Sequence, residues 1–266
     1  MRLRVPGGPV ALTRVMLGVA LAVMSLESSA ALYGLGAGKL TYPYVSWAPD
    51  PPDWLSYAVL LIGLISAVTL VIGVLPHIMA AVGCLSCLVT LGADQQTYSN
   101  HLLLLALLLG FLTFAEADRR WGISTGRHRG ERTAPFWPQL LMMTQVSACY
   151  LFAGLSKIQP TFLSGEPLAG WMWPSLPGGA FVALAWLTVV TEVGLAVVLW
   201  VPKLRILGAV AGIGLHLSII VFLDQRLALV AFAFATISSY PLFLSRPSLD
   251  RVALRPAGAP LASSRS

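Results

Sequence analysis

Residues 145–170 read QVSACYLFAGLSKIQPTFLSGEPLAG, and the fold turns on how this stretch is read. Up to Ser156 it is an apolar run of helical length. Lys157 ends it, Pro160 breaks it, and Ser164, Gly165, Pro167 and Gly170 supply turn formers. A lysine at the end of a membrane helix is ordinary, because its long stem lies in hydrocarbon while the ammonium reaches the interface. A lysine on the side of a membrane that is poor in lysines is less ordinary. The rest of the chain decides which side Lys157 is on.

The 266 residues are 57% apolar and only 11% charged, and the mean hydropathy is +0.79. That is far above the apolar share of a soluble domain. Several separate runs reach the ~20 residues needed to cross ~30 Å of hydrocarbon. The expected fold is all-α: a polytopic integral membrane helix bundle of about eight transmembrane helices, with both termini cytoplasmic. The net charge of +6 does not point to nucleic acid. The basic residues lie between spans with no aromatic-interleaved basic strip, and membrane orientation explains them.

Three segments are expected: a basic arm (1–9), the bundle (10–244) and a polar tail (245–266) that reads as disordered. The spans fall at 10–33, 54–75, 78–93, 101–115, 136–158, 180–201, 204–223 and 227–244. The small residues Ser28, Ser29, Ala30 and Ala31 leave open a signal-peptide cleavage site at the end of the first span. With the amino terminus in the cytoplasm, every Lys and Arg except Lys39, Lys157 and Arg226 falls in a cytoplasmic segment, out of 17. The positive-inside rule is satisfied at every basic-rich loop. Lys157 is therefore on the outer, lysine-poor side.

The same topology gathers other costly groups toward the outer leaflet. His101 starts the fourth span and His216 lies in the outer half of the seventh. Glu192 is near the middle of the sixth, and Glu27 near the outer end of the first. Asp94, Gln95, Gln96, Asn100 and Glu166 lie in adjoining loops. An ionisable group at bilayer depth costs ~2.5–3.5 kcal/mol or more and faces protein or a cavity. The pattern predicts an outward-opening pocket inside the bundle. Each residue also has a plainer role: Lys157 as an interface anchor, His101 as a helix-start hydrogen bond, Glu27 as a lipid-interface residue. Glu192 and His216 would then pair with each other as interhelical glue. No His-x-x-x-His or His/Cys spacing supports a metal site. Cys84 and Cys87 have the spacing of thiol–disulfide enzymes and share one helix face, which leaves open a DoxX-like membrane redox protein. Their apolar neighbours fit simple helix packing equally well.

Four stretches give the chain a family likeness: LTRVMLG with ALYGLGAGKLTYP; YSNHLLLLALLLGFLTFAEADRRWG; QVSACYLFAGLSKIQPTFLSGEPL; and TEVGLAVVLWVPKLRILGAVAGIGLHLSIIVF. Together they resemble the horizontally transferred transmembrane (HTTM) family, whose best-known member is the vitamin K-dependent gamma-carboxylase. The strongest points are Asn100-His101 and the Tyr-x-x-Ala-Gly-x-x-Lys run from Tyr150 to Lys157, followed by Glu192 and His216.

The resemblance implies that Lys157 is the base on a lipid-soluble hydroquinone, menaquinol or vitamin K hydroquinone, with O2 and CO2 or bicarbonate as co-substrates and no metal. In the carboxylase the quinol leaves as an epoxide while a glutamate is carboxylated. That chemistry needs the lysine neutral when it removes a proton. His101 is implied in the glutamate half-reaction, with Asn100, Tyr150, Glu192 and His216 lining or bracing the pocket. The expected partners are the lipid bilayer, the quinol and a peptide or protein glutamate substrate, with no nucleic acid; the expected location is the plasma membrane. Two departures stand out. The chain has no counterpart of the large lumenal region that captures the carboxylase's substrate. It also has Ser156 where the carboxylase has a second lysine. Short members of the family go with small peptide toxin or bacteriocin systems, so a non-enzymatic partner in peptide maturation, export or immunity is the alternative to a quinol epoxidase or carboxylase.

Overall fold

A computed structural model of the protein describes residues 3–37, 41–45, 47, 50–123, 132–223 and 226–245. Lys39, Arg127, His128, Arg129, the side chain of Arg226 and the tail from residue 246 onward lie outside the described residues, as do the expectations made for them.

The chain is a helical membrane bundle. Its elements are α1 (Gly8–Gly36), α2 (Asp53–Ile72), α3 (Pro76–Ala93), α4 (Asn100–Leu112), α5 (Phe136–Ser156), α6 (Pro160–Leu163), α7 (Glu166–Trp171), α8 (Gly178–Val198), α9 (Arg205–Phe222), α10 (Arg226–Ile237) and α11 (Tyr240–Leu244). Among the described residues, six segments are long and apolar enough to cross a membrane: α1, α2, α3, α8, α9 and residues 227–244. Two of the eight expected spans fall short of that standard. At 13 residues, α4 is about 20 Å long, less than the ~30 Å hydrocarbon core. It is enclosed by protein instead, packed on α1, α3, α5 and α10. α5 is long enough but carries Gln139, Thr144, Gln145, Ser147 and Ser156.

The last expected span is not one helix. Pro241 cannot donate to the preceding turn, and the chain breaks at Ser238 and Ser239 before α11 begins. The Ser238 carbonyl accepts instead from the Thr13 hydroxyl at 2.7 Å, so the break leaves no orphaned acceptor there. α1 is the central helix. It packs on α2, α3, α4, α10 and α11, and the small residues 28–31 lie near its far end, with Ser28 buried and Ala30 and Ala31 exposed.

The core is built where α1, α4 and α5 meet, with Leu17, Leu21, Leu105, Leu109 and Met142 sealed from solvent. The outward faces of the peripheral helices are the reverse of a soluble surface. Leu61, Ile65 and Val68 on α2, and Leu187, Val190, Ile206 and Val210 on α8 and α9, are all exposed. Rows of bare aliphatic side chains at helical spacing belong against lipid, where the helix already satisfies its own backbone groups.

One end of the bundle is basic and pinned. The strand β1 (Arg4–Pro6) pairs antiparallel with β2 (Thr133–Pro135), tying the arm to the start of α5. Arg14, wholly buried, donates to the Ala117 carbonyl at 3.1 Å and to that of Trp121. Arg4 and Arg119 both bond Glu116 at 2.6 Å. The hydrogen bond from Arg4 is the main cause that holds the Glu116 carboxyl below its ordinary range, against some desolvation, with Arg119 adding to it. Among the described Lys and Arg side chains, Lys157 alone is at the opposite end. There the loops are tied by Asp94, whose carboxylate accepts from the backbone N–H of Tyr42 at 2.7 Å and of Gln96 at 2.8 Å.

Candidate functional site

Lys157 is the residue that caps α5. The helix stops there because Gln159 turns to an extended conformation and Pro160 starts α6. The ammonium points sideways onto α8, where its Nζ donates to both carboxylate oxygens of Glu192, at 2.8 Å and 2.6 Å, and to the Ala153 carbonyl at 3.3 Å. The Glu192 side chain is 8% exposed and that of Lys157 27%, so this is a largely desolvated ion pair rather than an interface anchor.

Gly154 makes the pair possible. A Cβ at that position would stand 2.7 Å from Val193 Cγ2, 3.1 Å from the Val193 nitrogen and 3.3 Å from Glu192 Cβ. The small residue of the Ala-Gly-x-x-Lys run therefore lets α8 come close enough for Glu192 to reach Nζ.

His101 is the second residue of α4, whose N-cap Ser99 accepts from the Leu102 N–H at 3.3 Å. Its Nε2 lies 3.1 Å from Glu27 Oε1 on α1. Beside it, the Asn100 side-chain oxygen Oδ1 accepts from the Tyr98 hydroxyl at 3.0 Å. A cavity of about 780 Å³ brings Asn100, His101, Lys157 and Glu192 onto one wall system, between α4, α5, α8 and the start of α10. Leu104, Phe152, Leu229 and Phe232 supply apolar surface, and Gln145, Cys149 and Ser156 add polar groups. This matches the usual make-up of small-molecule sites: a mostly apolar concavity of ~300–1,000 Å³ with a few convergent polar groups.

Tyr150 and His216 are not on that wall. They belong to a separate buried network in which Tyr150 Oη is 2.7 Å from His216 Nε2 and 2.6 Å from Tyr240 Oη, while Thr236 Oγ1 is 2.9 Å from the same His216 nitrogen. The His216 and Phe232 rings meet edge to face at 5.4 Å, so the network backs the cavity wall from behind. Gly212 is what admits it, since a Cβ there would collide with the Tyr240 hydroxyl.

Two of the plainer sequence expectations are therefore corrected. Glu192 pairs with Lys157, not with His216, because His216 is turned toward α5 and α10. Glu27 is held by His101 rather than by the lipid interface. Tyr240 and Thr236 carried no signal in the sequence that marked them for this network. Glu27 did carry one, as an ionisable residue within an apolar run. The thiols are free. Cys84 and Cys87 lie on α3, away from the residues that line the cavity, whereas Cys149 lines it. Among the described residues no group of three or more His, Cys, Asp or Glu side chains could hold a metal ion.

No solved structure matches this chain. A family profile described as the HTTM domain matches residues 5–247, nearly the whole chain, and the protein belongs to the HTTM domain family.

Proposed function

We propose that the cavity is a reactive site for a lipid-soluble hydroquinone in the plasma membrane, with Lys157 as its base, in the manner of the vitamin K-dependent gamma-carboxylase. The observation that carries this reading is the Lys157–Glu192 pair, set in the wall of a large, mostly apolar cavity with His101 and Asn100 in the same lining. A surface lysine needs no buried carboxylate, and a structural pair needs no cavity. The lining fits a quinol: apolar side chains for its ring system, and a few hydrogen-bonding groups for its hydroxyls. Flanking helices support entry from the bilayer. α5 packs on α4, α8 and α11, and α10 on α1, α4 and α9, while Phe152, on the cavity lining, is largely exposed.

A bound hydroquinone would supply an acidic hydroxyl and, with O2, the oxygenation that ends in an epoxide. The protein's part is proton handling. Glu192 takes the ammonium proton across the 2.6 Å bond, which frees the Nζ lone pair to accept the hydroxyl proton. The apolar walls keep water from competing for that lone pair. His101 and Asn100 hold or protonate the second reactant. The minimal activity is quinol epoxidation. Carboxylation of a peptide or protein glutamate, with CO2, is the fuller version.

Purified wild type and Lys157→Ala, incubated with menaquinol, oxygen and bicarbonate and read by mass spectrometry, test this. Epoxide should form only when Lys157 is present. Epoxide at the wild-type rate from Lys157→Ala would sink the mechanism. No epoxide from a folded, quinol-binding wild type would turn the reading to a non-enzymatic pocket for a small peptide.

A further inference from the structure

We infer that Glu27 is a positioning residue for the cavity: it fixes His101 as the Nε2–H tautomer and leaves the Nδ1 lone pair as the acceptor offered to the ligand. The bond between Glu27 Oε1 and His101 Nε2 measures 3.1 Å. A carboxylate has no hydrogen to give, so the hydrogen in that bond belongs to Nε2. In the neutral ring the lone pair then falls on Nδ1. That nitrogen makes no hydrogen bond among the described residues, and it is not one of the side-chain atoms sealed from solvent without a partner. The ring it belongs to lines the cavity.

The other Glu27 oxygen, Oε2, is sealed and has no partner among the described residues. A carboxylate kept with one oxygen unsatisfied does not fit a lipid-interface role, in which both oxygens would reach water. It does fit a group held in place for the sake of its one bond, as carboxylates orient imidazoles elsewhere in proteins.

The cavity thus carries two bases, each backed by a carboxylate from another helix: Lys157 of α5 by Glu192 of α8, and His101 of α4 by Glu27 of α1. A ligand that engages both must present two proton donors, as the paired hydroxyls of a hydroquinone do, or a hydroxyl together with an acid from a second reactant. This assignment of ligand class rests on the reading of the cavity as the reactive site. The tautomer does not.

The test is a multiple-bond 1H–15N correlation spectrum of the full chain in micelles, with 15N-labelled histidine and no ligand. Four histidines are present, and His101→Gln identifies the signal. On the uncharged ring, wild type should show a protonated Nε2 and a bare Nδ1. Glu27→Gln, whose amide can donate as well as accept, and Glu27→Ala should each shift the ring to mixed tautomers, with size-exclusion profiles unchanged. A protonated Nδ1 in wild type would overturn the proposal even if neither variant folds, and so would a wild-type pattern in folded Glu27→Ala. Because no turnover is read, failure of quinol epoxidation leaves this result standing.

Discussion

Replacing Glu192 by Leu should cost about 3 kcal/mol of stability, and adding Lys157→Met should return most of it. Glu192 accepts two hydrogen bonds from one ammonium, at 2.6 Å and 2.8 Å. With the carboxylate gone, Nζ keeps a single bond at 3.3 Å, to the Ala153 carbonyl. Breaking a buried pair by removing one partner costs ~3–5 kcal/mol, because the survivor is left charged and unpaired. The Lys157 side chain is 27% exposed, so some water reaches it, which places the cost at the lower end. At ~1.4 kcal/mol per factor of ten, that is roughly a hundredfold in the unfolding equilibrium. The Lys157→Met, Glu192→Leu double variant has no charge to strand, and apolar replacements of similar volume are neutral or stabilising at such sites. SDS titration of the two single variants and the double variant in mixed micelles closes the cycle. Strictly additive single and double effects, or a Glu192→Leu protein as stable as wild type, would refute the claim that the pair is desolvated.

Two further outcomes follow from the packing and the basic end. Gly212→Ala pushes a Cβ into the Tyr240 hydroxyl and should destabilise by about 1–3 kcal/mol through overpacking, with Gly214→Ala, where nothing lies within 4 Å, as the mild control in the same titration. Because hydrogen bonds from Arg4 and Arg119 hold the Glu116 carboxyl below its ordinary range, the native state prefers the ionised form. The stability gap between wild type and Glu116→Gln should be full above the ordinary carboxyl value of ~4.3 and close as the pH falls below it, through the lowered native value. A gap that instead widened in acid would contradict the geometry.

The sequence made the helices legible because lipid demands long apolar runs and permits little else at depth. The expected boundaries of the first three spans agree with α1 to α3 to within a few residues. The break at Ser238 and Ser239 was hidden, because Pro241 is compatible both with a kink inside a span and with the first turn of a new helix. At the site, an expensive polar residue signals that it has a partner, not which one. Lys157, His101, Glu192 and Asn100 were all marked by cost or by motif, and the cavity gathers them. The pairing of Glu192 with Lys157 rather than with His216 depended on how closely α8 approaches at Gly154, a distance no spacing rule supplies. Tyr150 and His216 were marked too, yet they lie behind the wall. Tyr240, their partner, is at the start of a five-residue helix where a tyrosine raises no question.

The helix that carries Lys157 is also one the bilayer would accept reluctantly. α5 holds Gln139, Gln145, Ser147 and Ser156 and is missing from the six segments apolar enough to cross unaided. Alone in lipid, its polar side chains would have only their own backbone to bond. Within the bundle, Ser147 accepts from the Trp200 indole at 2.8 Å, while Gln145 and Ser156 turn toward the cavity. Glu192, on a helix that can enter without help, waits for the ammonium that only α5 brings. During biogenesis, then, the helix that carries Lys157 should enter together with its neighbours, so that the ion pair with Glu192 and the cavity beside it form in one step.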